Sequence, residues 1–344
     1  MVKRKALIIG PLPYIGHQHT IGGTTVLMQN FIDFLQGNDF PYELIISNSK
    51  KENITSHFIS FFYIVAGLMT KNYKSIMLNS SFRSLFYIAP IILIFSFCTG
   101  KKFYLRIFGG NLIEVFNSSN FLKKIILDTI LKYCDVCFVE TKAILEYLDN
   151  KYKNRQHFHW FPNVRRKVER EQKKLGTFSK KFVFIGQIRK SKGVMEIVEV
   201  FKNLDSSYTI DFYGPIFDEE LRESIINSYK GVLPPEDVTK TLCKYDVLLL
   251  PTFHTGEGYP GIVIECFAAG IPIIATNWKS IPELIQNGYN GLLVPVKDTE
   301  SLTYAITSIT NANYSTFSKN SLESFELYSD ENNNQRITDL IFGK

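Results

Sequence analysis

The sequence predicts an α/β protein made of two halves, each a parallel sheet covered by helices on both faces. Short apolar runs of strand length alternate with longer apolar-periodic segments from the start of the chain. The alternation occurs as two separate series. Between them, WFPNVRRKVEREQKKLGTFSKK (160–181) is polar, charged and punctuated by Pro and Gly, as expected of a connection between domains. A chain of 344 residues with 45% hydrophobic and 21% charged residues has material for two cores and little sign of disorder.

The first series is ALIIG (6–10), YELIIS (42–47), SIMLNS (75–80), FYLRIF (103–108) and DVCFVE (135–140). The opening MVKRKALIIGPLP has a basic start but only a short apolar run before Gly10 and Pro11, which reads as a first strand rather than a signal peptide. Cytoplasmic residence is the expectation that follows. After this strand, IGPLPYIGHQHTIGGTTVLMQNF places Gly22 and Gly23 before a helix starting near Thr24. The stretch lacks the Gly-x-Gly-x-x-Gly dinucleotide fingerprint, which argues against a nicotinamide enzyme. On their own, the two glycines need signify no more than a turn and the entry to a helix.

The longest apolar run, Leu85 to Cys98, is broken by Pro90. It falls short of the roughly 20 residues that span a bilayer as a helix and reads as a buried or interfacial helix. RIFGGNLIEVF (106–116) closes the fourth strand with a pair of glycines.

The second series is FVFIGQ (182–187), YTIDFYG (208–214), DVLLLP (246–251), IPIIAT (271–276) and GLLVP (291–295), and KGVLPPEDV (230–238) reads as a short strand followed by a helix. The chain thus holds two Rossmann-like halves, 1–162 and 163–320, with helical patterns continuing through 321–344.

Charge is unevenly placed. Eighteen Lys and Arg face ten Asp and Glu through Arg155, so the first half carries +8 and the remainder −2 of the net +6. Basic residues lie beside apolar ones in KKFYLRIF (101–108) and FLKKIIL (121–127), which suits either an anionic membrane surface or a solvated basic face. No nucleic-acid-binding motif organises them, so nucleic acid is not an expected partner. The five cysteines are an odd number, mostly in apolar runs, and disulfides are not expected. Cys134 and Cys137 form one CxxC with no second ligand pair at zinc spacing. The His17/His19 and His157/His159 pairs have no nearby carboxylates, so no metal site is expected.

The chemistry concentrates in TGEGYPGIVIECFAAGIPIIAT, where Glu257 and Glu265 stand eight positions apart. Glycines flank Glu257, so the backbone can turn sharply and approach a ligand without Cβ interference. Pro260 suits the start of a helix, IVIECFAA follows, and Gly270 closes it. The helix N-terminus offers free N–H groups to an anion beside Glu257, and Glu265 lies one turn inside. An anion flanked by two hydroxyl-binding carboxylates describes a nucleotide sugar. In FIGQIRKSKGVMEIVEVF (184–201), a strand ends at Gly186 and a loop carries Arg189, Lys190 and Lys192 to a helix beginning near Gly193. Cations beside a helix start can neutralise a departing diphosphate.

These motifs, with the preceding DVLLLPT (246–252) and the following GIPIIATNWKSIPELIQNGYNGLLVP (270–295), resemble the retaining GT-B glycosyltransferases of family 4, the glycosyl transferases group 1. Members of this family build bacterial capsule, O-antigen and lipopolysaccharide glycans. The resemblance is specific over about 180–300 and weaker before it. It implies a GT-B fold in which two Rossmann-like domains face each other across a cleft. Residues 1–162 would serve the acceptor and 163–320 the nucleotide sugar, with 321–344 crossing back to the first domain and Pro162-Asn163 matching the family's segment at the junction.

The resemblance also implies roles residue by residue. Gly22, Gly23 and Gly186 would approach the donor, with Lys192 as the phosphate lysine. The base would lie against the backbone of Gly231, Val232 and Leu233, and the ribose hydroxyls would bind Glu265. Glu257 would hold the donor sugar, while the backbone of Tyr259, Pro260, Gly261 and Ile262 would line sugar and phosphate. The family usually has arginine where this chain has Gln187, and Arg189 is the candidate replacement. Where many relatives carry a histidine near the sugar, this chain has Phe108, Gly109 and Gly110. Arg106 fits either a core-edge position or, with the two glycines, an acceptor contact.

The implied activity is retaining transfer of a hexose from a UDP- or GDP-sugar to a hydroxyl of a growing glycan, with neither metal nor cofactor beyond the donor itself. A polyprenyl-diphosphate-linked oligosaccharide at the inner membrane surface is the expected acceptor, with the protein peripheral there. Competing readings are a GT-B phosphorylase or epimerase, and an inactive nucleotide-sugar-binding scaffold, the last motivated by Gln187 and the missing histidine. The presence of both glutamates and Lys192 weighs against the scaffold.

Overall fold

The computed structural model describes residues 5–13, 23–48, 54–153, 156–167 and 177–343, apart from the side chains of 54–61 and 83. The chain divides into two compact units, one comprising Met1–Val164 with Asp330–Lys344 and the other Arg165–Ser329.

In the first unit, β1 (Ala6–Gly10), β2 (Tyr42–Ile46), β3 (Ser75–Ser80), β4 (Lys102–Ile107), β5 (Val136–Val139) and β6 (Phe158–Trp160) form one sheet in the order β2-β1-β3-β4-β5-β6. All neighbours run parallel. The period of two splits each run between two cores. Leu7, Ile9, Ile76, Leu78, Phe103 and Leu105 enter one core. Ala6, Ile8, Met77, Tyr104 and Phe138 enter the other. Burial on both faces is why these strands read as unbroken apolar runs rather than alternating ones. The last helix, Asp330–Phe342, supplies Ile337, Ile341 and Phe342 to the second core. There the Phe40 and Phe342 rings lie 4.9 Å apart and the Tyr104 hydroxyl donates to the Leu340 carbonyl at 3.0 Å.

The Leu85–Cys98 run forms two helices, Phe82–Tyr87 and Ala89–Thr99, because Pro90 sits at the start of the second and cannot continue the first. Its burial is also divided. Leu85, Ala89 and Ile92 are in the core, whereas Tyr87, Ile94 and Phe97 face outward. Cys134 caps the helix Phe121–Tyr133, and β5 starts two residues on at Val136. Its thiol is drawn down to about 7, chiefly through the hydrogen bond with Cys137, and burial pushes Cys137 up.

In the second unit, β7 (Lys181–Ile185), β8 (Thr209–Tyr213), β9 (Val247–Leu250), β10 (Ile273–Thr276) and β11 (Gly291–Val294) form a parallel sheet in the order β11-β10-β9-β7-β8. The short strand expected in KGVLPP does not form. Tyr229 makes an isolated bridge to Phe212, and Gly231 turns through a positive φ of 92° before the single 3-10 turn Pro235–Asp237. The adjacent Pro234 and Pro235 lack the N–H groups that a ladder requires.

Candidate functional site

The carboxyl ends of β7 and β9 bring the cationic loop to the Glu257 loop. After β7 the chain makes a 3-10 turn over Lys190–Lys192, and Gly193 adopts a left-handed φ of 76° before the helix Val194–Asn203. A Cβ at Gly193 would stand 2.1 Å from the Pro251 carbonyl oxygen at the end of β9. Glycine is therefore required twice over, by the φ and by the close backbone approach. Gly193→Ala is expected to cost at least roughly 2 kcal/mol and to lower the unfolding midpoint in denaturant titration, with a matching loss of Lys192-dependent function.

Across this contact, Lys192 Nζ lies 2.6 Å from Glu257 Oε2, with the two side chains only 16% and 8% exposed. The Thr252 hydroxyl also donates to Glu257 Oε2, at 2.8 Å. The loop carrying Glu257 is anchored from several sides. The Phe253 amide donates to the Ser191 carbonyl at 2.8 Å, and the Trp278 indole donates to the His254 carbonyl at 2.8 Å. The Tyr259 hydroxyl donates to Glu283 at 2.6 Å, which holds its side chain inward. A loop tied to β7, β9 and the segment after β10 holds the Glu257 carboxylate in one place. His254 is pushed below its ordinary value, mainly by burial and then by the Lys192 charge, so the positive charge beside Glu257 comes from the lysine and not from the imidazole.

Pro260 caps the helix Gly261–Ala269, and Gly270 ends it in a left-handed conformation at φ 66°. Val263, Ile264, Cys266 and Phe267 pack inward, so the helix is rigidly seated and Glu265 is carried on its more open side. Arg165, which sequence reasoning missed, meets it there. Arg165 Nε stands 2.6 Å from Glu265 Oε1. The pair joins residues a hundred positions apart, so no local pattern signals it.

Other expected residues fall in varied places. Arg189 is near enough to influence His254, but its guanidinium lies over the Phe217 ring at 4.1 Å and its Nε is buried without a hydrogen-bond partner. Gln187 is exposed. Gly186 and Gly214 bring the ends of β7 and β8 close together. A Cβ on Gly214 would stand 1.8 Å from the Gly186 carbonyl oxygen. Gly231 and Leu233 are partly exposed and Val232 is exposed.

In the first unit, Gly23 begins the helix Gly23–Gly37, while Gly22 lies outside the described residues. Arg106 is only 3% exposed, stacked 3.8 Å from the Phe161 ring, and burial pushes its guanidinium down to about 9 against the opposing charge of Glu140. That is a core-edge setting, although its Nη1 is buried without a hydrogen-bond partner. Gly109 takes a φ of 96° and its amide donates to Glu140 at 3.0 Å, with Gly110 beside it partly exposed. Among the described residues no group of three or more His, Cys, Asp or Glu could hold a metal ion.

Residues 179–312 match the family model for glycosyl transferases group 1. The chain is 30% identical over 125 residues to an uncharacterized 41.2 kDa protein in the cps region of Klebsiella pneumoniae, which is 35% of this chain and 34% of that one. It is 29% identical over 152 residues, 39% and 37% of the two chains, to a putative colanic acid biosynthesis glycosyltransferase, WcaL, of Salmonella typhimurium. The match thus spans about a third of the length of these relatives. Over 98% of the chain, the fold is similar to HepE of Anabaena in complex with UDP, at TM-score 0.73, 13% identity and 99% coverage of that chain. It is equally similar to a sucrose-phosphate synthase from Thermosynechococcus elongatus, at TM-score 0.73, 15% identity and 98% coverage of each chain. The two parallel-sheet α/β domains are those of GT-B glycosyltransferase structures.

Proposed function

We propose that this protein is a retaining glycosyltransferase of family 4 that moves a hexose from a UDP- or GDP-sugar to a hydroxyl of a growing surface polysaccharide. The observation that carries the reading is the Lys192–Glu257 contact beside the start of the helix Gly261–Ala269. A cation for the departing diphosphate and a carboxylate for sugar hydroxyls must both stand close to the bond that breaks, and these two groups are hydrogen-bonded to each other. The group 1 match over 179–312 and the polysaccharide relatives support the same reading. HepE is also known in complex with UDP-glucose.

In this mechanism the protein supplies position and electrostatics rather than a nucleophile. Lys192 and the helix N-terminus stabilise negative charge as the diphosphate leaves, Glu257 orients the sugar, Glu265 holds the ribose, and the leaving phosphate takes the acceptor proton. Arg189 would join the phosphate only by leaving the face of Phe217. Gly109 and Gly110 are proposed to serve the acceptor, through the loop that Glu140 holds, with Arg106 behind them at the core edge. Transfer from UDP- and GDP-hexoses to a membrane lipid extract, with the product's anomeric configuration read by NMR, tests the proposal. The donor's configuration is expected in the product, and an inverted product would contradict the mechanism.

A lipid-linked acceptor fits the first unit's surface. Phe97 is 91% and Phe121 80% exposed, and Ile94, Leu122 and Ile125 are exposed on the same two helices, Ala89–Thr99 and Phe121–Tyr133. Those helices pack on each other, and Lys123 and Lys124 follow directly on Phe121 and Leu122. Among the described residues no helix is long and apolar enough to cross a membrane. Apolar side chains with adjacent lysines suit the surface of an anionic bilayer. Co-sedimentation with phosphatidylglycerol vesicles is expected to fall several-fold in Phe97→Ser/Phe121→Ser and at high salt. Binding unchanged by either would rule this surface out.

A further inference from the structure

Where the chain passes into the second unit, it delivers a cation to the carboxylate assigned to the ribose. The Arg165 amide donates to the Tyr328 carbonyl at 3.0 Å and Arg165 bridges Ser329, so its backbone is fixed. Its Nε lies 2.6 Å from Glu265 Oε1, with the side chains 13% and 18% exposed. The guanidinium rests on the first residue of the helix Gly261–Ala269, so closely that a Cβ on Gly261 would stand 2.0 Å from Nη2. Among the described residues no other group hydrogen-bonds Glu265.

Each member of this pair is poorly placed alone. A guanidinium at a helix N-terminus is opposed by the helix dipole. An uncompensated carboxylate one turn further in would repel a nearby diphosphate. Together they are close to neutral, and the hydrogen bond from Nε fixes which oxygen remains available.

We infer that Arg165 is a positioning residue for nucleotide selection: it binds Glu265 Oε1, offsets its charge, and leaves Oε2 oriented to accept the paired hydroxyls of a ribose. Arg165 itself does not touch the sugar. The inference rests on the assignment of Glu265 under the proposed function. Lysine keeps the charge but lacks the in-plane Nε–H, so it restores neutrality without the full orientation.

Calorimetric titration of the full chain with UDP and GDP, each against its 2′-deoxy counterpart, separates the possibilities. The wild type is expected to favour the ribose form of its nucleotide by roughly tenfold or more, since a charge-assisted hydrogen bond is lost in the deoxy form. Arg165→Met should bring that preference to within about twofold, Arg165→Lys should lie between, and Arg165→Met/Glu265→Gln should discriminate no less than Glu265→Gln alone. Thermal melts confirm that each variant is folded. If Arg165→Met weakens both forms equally, or changes neither while Glu265→Gln abolishes the preference, Arg165 is structural and the inference fails. If Glu265→Gln itself leaves the preference intact, the ribose assignment falls instead.

Discussion

Replacing Lys192 with alanine is expected to lower kcat by roughly 100- to 1,000-fold, with a smaller change in donor KM. The asymmetry follows from timing. The diphosphate gains negative charge as the glycosidic bond breaks, so a fixed cation stabilises the transition state more than the bound donor. The structure adds a second consequence that sequence reasoning did not anticipate. Lys192 is held against Glu257, whose side chain is 8% exposed, and removing it leaves a buried carboxylate with the Thr252 hydroxyl as its remaining described hydrogen-bond donor. Breaking one side of a buried pair costs about 3 to 5 kcal/mol, here taken toward the lower end because water reaches part of the lysine. Urea titration checks the stability loss. Lys192→Ala/Glu257→Gln should recover much of that stability, since a neutral amide is cheaper to bury, and recover none of the turnover. Full turnover in Lys192→Ala would remove this residue from the reaction.

Glu265→Ala is expected to weaken nucleotide binding roughly 30- to 150-fold, whichever sugar the donor carries, because about 2 to 3 kcal/mol of charge-assisted hydrogen bonding to hydroxyls is lost. The same change removes the Arg165–Glu265 ion pair at the start of the helix Gly261–Ala269. The substitution is therefore also expected to lower stability by roughly 1 to 3 kcal/mol, and binding must be measured on protein confirmed folded. The two losses are separable. Glu265→Gln keeps a hydrogen-bond acceptor for Arg165 and should melt closer to the wild type, yet still bind nucleotide weakly. Calorimetry with UDP and GDP reads the binding directly, and affinity unchanged in both variants would mean that the nucleotide does not use this helix.

Much of this was legible in the chain because the relevant signals are local. The strand runs of both sheets are contiguous apolar segments, and Gly193, Pro260 and Gly270 mark turns and helix ends through their own backbone preferences. The same is true of the Glu257 and Glu265 spacing, which one loop and one helical turn fix. What escaped was set by tertiary packing. The Arg165–Glu265 pair depends on a crossover that joins residues a hundred positions apart, and Arg165 looked like one more charge in a polar connection. The placement of Arg189, the candidate for the charge missing at Gln187, is likewise set by packing, with its guanidinium over the Phe217 ring. KGVLPP had the composition of a strand, yet two prolines and the positive φ of Gly231 leave it extended without a ladder. The Leu85–Cys98 run was apolar throughout because one side fills a core while the other stays at the surface, a division its composition does not reveal.

The most direct test of the central claim is nucleotide release by the purified protein from a panel of UDP- and GDP-hexoses, with and without membrane lipid extract, beside Glu265→Ala. Release from one donor of the panel, stimulated by lipid and lost in the variant, is expected of a glycosyltransferase. Saturable binding of a nucleotide sugar with no release under any of these conditions would contradict it, and would leave a nucleotide-sugar-binding scaffold as the reading of this site.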